Sequence, residues 1–216
     1  APEILRAISE CGYQKMTPIQ QQAIPAVRRG MDVLASAQTG TGKTAAFSLP
    51  ILQKMLDNPS ATQRSNARAL ILTPTRELAA QIADNINDYA KYLEVNVVTI
   101  VGGVKMDSQA TKLKRGADII IATPGRLLEH IVACNLSLSN VDFLVLDEAD
   151  RMLDMGFSAD IQKILQAVNS KRQNLMFSAT FSSAVKKLAS EMMTKPNVIT
   201  ADKQNTTADT VSQVIY

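Results

Sequence analysis

Residues 32–44 read Asp-Val-Leu-Ala-Ser, then Ala-Gln-Thr-Gly-Thr-Gly, then Lys-Thr. A short apolar run, a loop of small residues and the opening of a helix follow one another with nothing between them. Few folds accept that order. A strand that is apolar at nearly every position is buried on both faces, and such a strand belongs in a parallel sheet covered by helices. After Asp32–Ser36 the pattern recurs at Ala69–Thr73, Val95–Val101, Asp118–Ala122, Phe143–Leu146, Leu175–Ser178 and Val198–Thr200. Helical periods run over Pro18–Arg28, Lys43–Leu56, Arg76–Leu93, Leu113–Arg115 with its flanks, Gly125–Val132, Ala159–Val168 and Ser183–Met193. This alternation predicts an α/β fold, a mostly parallel sheet of about seven strands with helices on both faces. Ligands then belong at the carboxyl ends of the strands.

Ala37, Gln38, Thr39, Gly40, Thr41 and Gly42 form the loop, and Lys43 and Thr44 open the helix. Backbone amides of such a loop turn inward and make an anion nest, helped by the helix N-terminus. Lys43 is placed to reach β- and γ-phosphates, and the Thr44 hydroxyl to ligate Mg²⁺. The common form of this loop begins with Gly; here it begins with Ala37, and a small residue suffices there.

Farther on, residues 145–150 read Val-Leu-Asp-Glu-Ala-Asp. Asp147 ends a buried strand beside the phosphate loop and is placed to hold the Mg²⁺ shell. Glu148 is the candidate for orienting and polarising an attacking water. Taken alone, two acids at a strand end equally suit a solvated helix N-terminus; the phosphate loop changes the balance. The pair describes a site that binds a nucleoside triphosphate with magnesium and breaks its terminal phosphate bond.

At 216 residues, 46% hydrophobic and 20% charged, the chain is ordinary globular protein with material for one well-buried core. A net charge of +3 permits contact with a polyanion without arguing for it. No apolar run approaches the ~20 residues of a membrane span, and no signal peptide opens the chain; the two cysteines, without CxxC spacing, suggest a cytoplasmic setting. Cys11 and Cys134, far apart, are expected as reduced, partly buried thiols. Asn58–Asn66 is polar and reads as a surface loop, and Asp202–Gln213 as a linker. The opening Ala1-Pro2 reads as a cut. His130, the only histidine, is expected in a surface or half-buried structural role, and Met152, Met155 and Phe157 in the core.

With these motifs in this order, the chain resembles the first RecA-like domain of the DEAD-box ATP-dependent RNA helicases, and looks most similar to bacterial members of the RhlE type. The resemblance runs from the Gly12-Tyr13 region to Tyr216. It implies a RecA-like P-loop NTPase domain over residues 1–201, with 202–216 beginning a linker to a second RecA-like domain. It also implies ATP and Mg²⁺ as ligands and RNA as partner. The stretch from Gly12 to Gln20 is similar to the family's Q motif, and Tyr13, Lys15, Thr17 and Gln20 are the expected contacts of the base side. The amide of Gln20 can donate and accept at once, which suits an adenine edge; Tyr13 is as well explained as a core residue. The family's upstream aromatic that stacks on adenine would fall before Ala1. Ser178-Ala179-Thr180 is similar to the S-A-T motif, whose hydroxyls bond the last Asp of the carboxylate motif, here Asp150, and couple it to strand separation. Pro74-Thr75-Arg76-Glu77-Leu78-Ala79, Gly102-Gly103 and Thr123-Pro124-Gly125-Arg126 resemble the RNA-contacting motifs. Thr hydroxyls, glycine amides and Arg suit phosphates and sugars and carry no base information, and contacts to 2′-OH would favour RNA over DNA. Each of these segments alone is also an ordinary turn or helix cap.

The resemblance implies that the arginine finger and half of the RNA surface come from the second domain. The domain alone is therefore expected to bind adenine nucleotide, hydrolyse it very slowly and not unwind duplexes. Two other readings compete. One is a P-loop DNA helicase; the other is a non-catalytic RNA-binding or interaction module on the same fold.

Overall fold

The computed structural model describes residues 1–38, 40–59 and 67–200. Thr39, most of the expected Asn58–Asn66 loop and the expected linker at 202–216 lie outside the described residues.

In chain order the elements are α1 (Pro2–Glu10), α2 (Pro18–Arg28), β1 (Val33–Ser36), α3 (Lys43–Asp57), β2 (Ala69–Leu72), α4 (Arg76–Tyr89), β3 (Val97–Ile100), α5 (Met106–Lys114), β4 (Ile119–Ala122), α6 (Pro124–Val132), β5 (Phe143–Leu146), α7 (Ala149–Asp154), α8 (Ser158–Ala167), β6 (Gln173–Ser178), α9 (Ser183–Met192) and β7 (Asn197–Thr200). The strands form one seven-stranded sheet in the order β3-β4-β2-β5-β6-β1-β7. Every strand pairing among the described residues is parallel.

The period of two along each strand divides the core. Val33, Ala35, Ile71, Val145, Leu175 and Phe177 face one layer, where they meet Val27, Phe47, Ile51, Ile82 and Ile86 of α2, α3 and α4. Leu34, Leu70, Leu72, Leu144, Leu146 and Met176 face the other, packed with Leu127, Met152, Ile161, Ile164, Val185 and Leu188 of α6 to α9. Both faces are thus covered, which explains why these strands are apolar throughout. Phe47 of α3 and Phe177 of β6 meet with ring centroids 5.4 Å apart at an interplanar angle of 53°, a tilted geometry that aromatic quadrupoles favour. That contact fixes the helix behind the phosphate loop against the middle of the sheet.

The elements differ from expectation in several places. Helix α1 was not anticipated, although Ile4, Ala7 and Ile8 carry helical spacing and Pro2 sits at its first turn. Helix α7 begins inside the carboxylate motif and spans only 6 residues, too short to show a period. Helix α5 extends over Met106–Lys114 rather than around Leu113–Arg115; its polar composition hides it. Helix α4 stops at Tyr89, short of Leu93, and β3 covers Val97–Ile100, inside the expected Val95–Val101. Both cysteines are exposed rather than partly buried: Cys11 follows the end of α1, and Cys134 stands at positive φ after α6. His130 is fully buried rather than at the surface or half-buried. Met152 is core as expected, but Met155 is 49% exposed because the chain turns outward at Gly156, φ 85°.

Candidate nucleotide site and nucleic-acid face

The strand order gathers the motifs. Loops after β5, β6 and β1 carry the Asp147, Ser178 and Ala37 segments; loops after β2, β4 and β3 carry Thr75, Thr123 and Gly102. All of them leave the carboxyl edge of one parallel sheet, in two neighbouring groups.

The phosphate loop starts where β1 ends. The Ala37 amide donates to Ser178 O at 2.9 Å, so the loop is tied to β6 from its first residue. Gly40 and Gly42 take φ of 84° and 89°, values that side chains resist, and α3 begins immediately after. Gln38 and Gly40 are exposed, while Thr41, Gly42 and Thr44 are partly covered. The Thr41 hydroxyl donates to Gln38 O at 2.7 Å and closes the loop on itself.

Lys43 and Asp147 are both buried and form an ion pair, Nζ to Oδ1, at 3.3 Å. Burial pushes the Asp147 carboxyl above the usual range, and the Lys43 ammonium works against that push. Glu148 adopts a left-handed backbone, φ 54° and ψ 52°, as the N-cap of α7. Its amide donates to Asp147 Oδ1 at 3.0 Å. The strand end is therefore turned sharply between the two acids.

Magnesium suits this donor set. Among the described residues no group of three or more His, Cys, Asp or Glu side chains could cage a metal. Mg²⁺ typically takes one or two protein ligands and completes its shell with water and phosphate oxygens. The Thr44 hydroxyl and Asp147 carboxylate supply that number.

Asp150 is held from the next strand. Its Oδ2 accepts from the Thr180 amide at 3.0 Å and from the Thr180 hydroxyl at 3.1 Å, while its own amide donates to Ser178 Oγ at 3.3 Å. The structure thus brings together the three residues that the S-A-T resemblance joins.

Gln20 is buried beside the phosphate loop. Its Oε1 accepts from Thr17 N at 3.0 Å, and its Nε2 donates to Gly42 O at 3.2 Å. An amide offers two acceptor and two donor positions, so each end retains one. Thr17 Oγ1 is buried and makes no hydrogen bond among the described residues. Tyr13 is 46% exposed, not core; its hydroxyl hydrogen-bonds Tyr89 at 2.9 Å. Lys15 is exposed. A mainly apolar cavity of about 300 Å³ opens between α1, α2 and α3, with Tyr13, Lys15 and Gln20 in its wall. None of the described residues of 37–44 lines it, so it lies beside that part of the phosphate loop.

In the second group, Pro74 is buried and the Thr75 hydroxyl caps α4 by accepting from Leu78 N at 3.2 Å. Arg76 is exposed and pairs with Glu77 at 2.8 Å. Gly103 has φ 77°, and a Cβ there would meet Arg76 Nη1 at 3.0 Å. Gly102 is partly covered. Thr123 precedes α6, Pro124 is its buried first residue, and Gly125 faces Asp160. Arg126 reaches across to donate to Val104 O at 2.5 Å and to Gln109 Oε1 at 3.3 Å, and pairs with Glu129 at 2.8 Å. It thereby locks the turn after β3 to α6. The buried ring of His130 sits between Gln109 Oε1 at 3.0 Å and Asn135 Nδ2 at 3.1 Å. Burial, then the Arg126 charge, lowers its pKa, which suits a neutral ring in a structural bridge. Two links escaped the sequence reading. Arg151, which pairs with Glu148 at 3.2 Å, was legible as an i,i+3 spacing. The Gln109–His130 bridge had no local signal, because its partners come from different helices.

Among the described residues no helix is long and apolar enough to cross a membrane. Residues 17–188 match the family described as DEAD/DEAH box helicase. The chain is 44% identical over 213 residues to the ATP-dependent RNA helicase DeaD of Mycobacterium tuberculosis, covering 98% of this chain and 37% of that protein. It is 43% identical over 221 residues to the ATP-dependent RNA helicase RhlB of Pseudomonas syringae, covering 100% of this chain and 56% of that one. It therefore spans between about a third and just over half of these relatives. A crystal structure of a hypothetical ATP-dependent RNA helicase from Sulfolobus tokodaii is similar in fold, with a TM-score of 0.84 at 36% identity over 93% of this chain and 57% of that one. The family match takes in the phosphate loop, the Asp-Glu-Ala-Asp strand end and Ser178 to Thr180, and the chain belongs to the DEAD/DEAH box helicase family.

Proposed function

We propose that the chain is the nucleotide-binding core of an ATP-dependent RNA helicase, which hydrolyses ATP to remodel or locally separate RNA duplexes. The observation that carries this reading is the 3.3 Å pair between Lys43 and Asp147. It sets the phosphate loop and the carboxylate motif at one point of the sheet edge. In the proposed complex the amides of Gln38 to Lys43 surround the phosphates, Lys43 moves its charge to the β- and γ-oxygens, and Gln20 uses its remaining donor and acceptor on adenine. Thr39, outside the described residues, belongs to the same loop. Thr44 and Asp147 hold Mg²⁺, which when bound neutralises charge developing on the phosphates. Glu148 orients a water for attack on the γ-phosphorus and takes up its proton, as the bond to the β-phosphate oxygen breaks to release ADP and phosphate.

Thr75, Arg76, Gly102, Gly103, Thr123, Gly125 and Arg126, with Pro74 and Pro124 shaping their turns, contact the RNA backbone without reading bases. Asp150, Ser178 and Thr180 couple the two groups of motifs. A second RecA-like domain completes the cleft and supplies the arginine finger, worth about 10³–10⁵ in rate in related phosphoryl transfer. The domain alone then binds nucleotide but turns over very slowly, and the setting is cytoplasmic.

Calorimetric titration of the chain with Mg-ADP and with Mg-GDP tests the reading. Binding of ADP with little binding of GDP is expected. Equal binding would remove the adenine role of Gln20, and binding of neither would overturn the nucleotide site in this domain. In the full-length protein, Glu148→Gln is expected to trap ATP and RNA together; turnover near wild type would remove the role of Glu148.

A further inference from the structure

The amino edge of the sheet, opposite the nucleotide motifs, carries a second concentration of charge. Arg68 precedes β2, Asp142 precedes β5, and Arg172 precedes β6. The amides of Asp142 and Phe143 donate to Arg68 O at 2.8 and 3.0 Å, and the Gln173 amide donates to Asp142 O at 2.8 Å. Three neighbouring strand starts are thus tied together. Beside them lies a cavity of about 430 Å³ with Lys54, Arg68, Lys171 and Arg172 in its wall. Asp142 is the one carboxylate in that wall among the described residues. Four cations against one acid is an excess as large as the net charge of the whole chain, +3.

Internal partners use only part of these groups. Arg68 gives Nε to Asp142 Oδ2 at 2.8 Å and Nη1 to Asn58 O at 2.7 Å. Arg172 gives Nε to Asn174 Oδ1 at 2.9 Å and Nη1 to Asn169 O at 2.8 Å. Each guanidinium is fixed by these bonds and keeps Nη2 for another acceptor. Lys54 reaches in from α3, its ammonium 5.4 Å from the centroid of the Phe143 ring. Among the described residues it donates to neutral oxygens alone, Gln173 Oε1 at 3.1 Å and Val27 O at 3.4 Å. Asp32, the other acid nearby, spends its oxygens on the amide and side chain of Asn174, at 2.7 and 3.3 Å. Burial lowers the pKa of Lys54 and of Arg172, against the opposing charges of Asp142 and Asp32 respectively. The fold therefore holds desolvated positive charge that it only partly neutralises, an arrangement that favours a bound counter-charge.

We propose that this cavity binds a compact oligophosphate, carried by a free anion such as pyrophosphate or by the 5′ end of an RNA. The cations come from α3 and from the starts of β2 and β6 and meet at one cavity, which suits a short phosphate chain. Arginine forks pair with phosphate oxygens two at a time, and the lysines add point charges. Phe143 is buried, so the wall offers no exposed ring on which a base could stack. The cavity lies at the opposite end of the strands from the phosphate loop, and both sites can be filled at once.

The test is calorimetric titration of the chain with pyrophosphate while Mg-ADP is present at saturation. One further site is expected, weakening as salt rises. Lys171 is exposed, and Lys171→Gln is expected to weaken pyrophosphate about tenfold while ADP affinity stays within about twofold. Backbone amide shifts locate the site: pyrophosphate should move Arg68, Asp142, Lys171 and Gln173 and leave Gly40 to Thr44 as ADP set them. Absence of saturable binding, or equal affinity in Lys171→Gln, would overturn the site. So would shifts confined to Gly40 to Thr44, which mean that pyrophosphate merely displaces ADP. If ADP itself fails to bind, the nucleotide reading fails, and the shifts at the amino edge still decide the second site. One RNA oligonucleotide, bearing a 5′-triphosphate or a 5′-hydroxyl, separates the sources. Shifts at the amino edge from the triphosphate form alone assign the ligand to an RNA end. Shifts from neither, with pyrophosphate still bound, assign it to the free anion. Equal shifts from both would overturn the compact ligand in favour of a track for the RNA backbone.

Discussion

Lys43 Nζ stands 3.3 Å from Asp147 Oδ1, and the two side chains are only 7% and 2% exposed. Burial raises the folded-state pKa of Asp147 above its unfolded value, and Lys43 is what chiefly opposes the rise. A raised carboxylate destabilises the fold once pH passes its unfolded value, because the folded state must then ionise a buried group. Removing Lys43 removes the compensation. Lys43→Ala is expected to lose about 3–5 kcal/mol at neutral pH. The deficit should grow as pH rises through the raised Asp147 value of the parent, where only the parent's folded state can ionise the group, and shrink below it. Adding Asp147→Asn should recover most of the loss and flatten the pH dependence. Urea unfolding at mildly acidic and neutral pH measures both; a deficit independent of pH would show that Asp147 is not its source.

Asp150 collects its bonds from β6 and the residues just after it, through Ser178 and Thr180. Ser178 is fully buried. Ser178→Ala leaves the Asp150 amide without that acceptor and is expected to cost about 1–2 kcal/mol. Thr180→Ala, at an exposed site, should cost about 0.5–1 kcal/mol. Thr180 does not touch the phosphate loop and Ser178 meets it only through its backbone oxygen, which the substitution keeps, so ADP affinity should stay within about twofold of the parent. Chemical denaturation paired with nucleotide titration separates the two quantities. A fall in affinity matching the fall in stability would show that Asp150 shapes the nucleotide site directly.

The sheet was legible because its strands are buried on both faces: Val33 to Ala35 and Phe143 to Leu146 cannot be read as anything half-exposed. The phosphate loop and carboxylate motif were legible because their chemistry is local, with glycines and acids in fixed order. Helix α7 was not, since six residues that start within a motif carry no period. Helix α5 was missed for a different reason: it buries only Gln109 and Leu113 and reads as polar throughout. His130 was placed wrongly because its burial depends on Gln109 and Asn135, a helix and a loop away. Long-range polar bridges of this sort leave no mark in neighbouring residues, whereas strands that are apolar at every position do.

Gly40 and Gly42 separate two kinds of glycine requirement. Both have positive φ, 84° and 89°. A Cβ on Gly40 meets nothing within 4 Å, whereas on Gly42 it would fall 2.5 Å from Gln20 Nε2 and 3.1 Å from Thr17 Oγ1. Gly40→Ala therefore bears backbone strain of about 1 kcal/mol alone. Gly42→Ala bears similar strain and must also displace Gln20 from the loop. ADP affinity is expected to fall at least about tenfold more in Gly42→Ala than in Gly40→Ala. Equal losses in calorimetry would mean that Gln20 does not help shape the site.

Glu10 ties α1 to the end of α4. Its carboxylate accepts from Lys91 Nζ at 2.7 Å and Tyr92 Oη at 2.5 Å, and Arg6 lies 3.3 Å away on the same helix. The hydrogen bond from Lys91 leads in drawing its pKa down to about 2 from an ordinary 4.5. A depressed carboxylate adds stability that is present above the unfolded pKa and is lost as pH falls through the folded one. The attachment of α1 should therefore hold at neutral pH and weaken between about 4.5 and 2. Protection of amides in α1, taken as exchange relative to the intrinsic rate at each pH, should fall over that window, ahead of protection in the central strands. Glu10→Gln should show the lower protection already at neutral pH, with little further change on acidification. Protection of α1 that followed pH equally in both proteins would assign the acid response to another carboxylate.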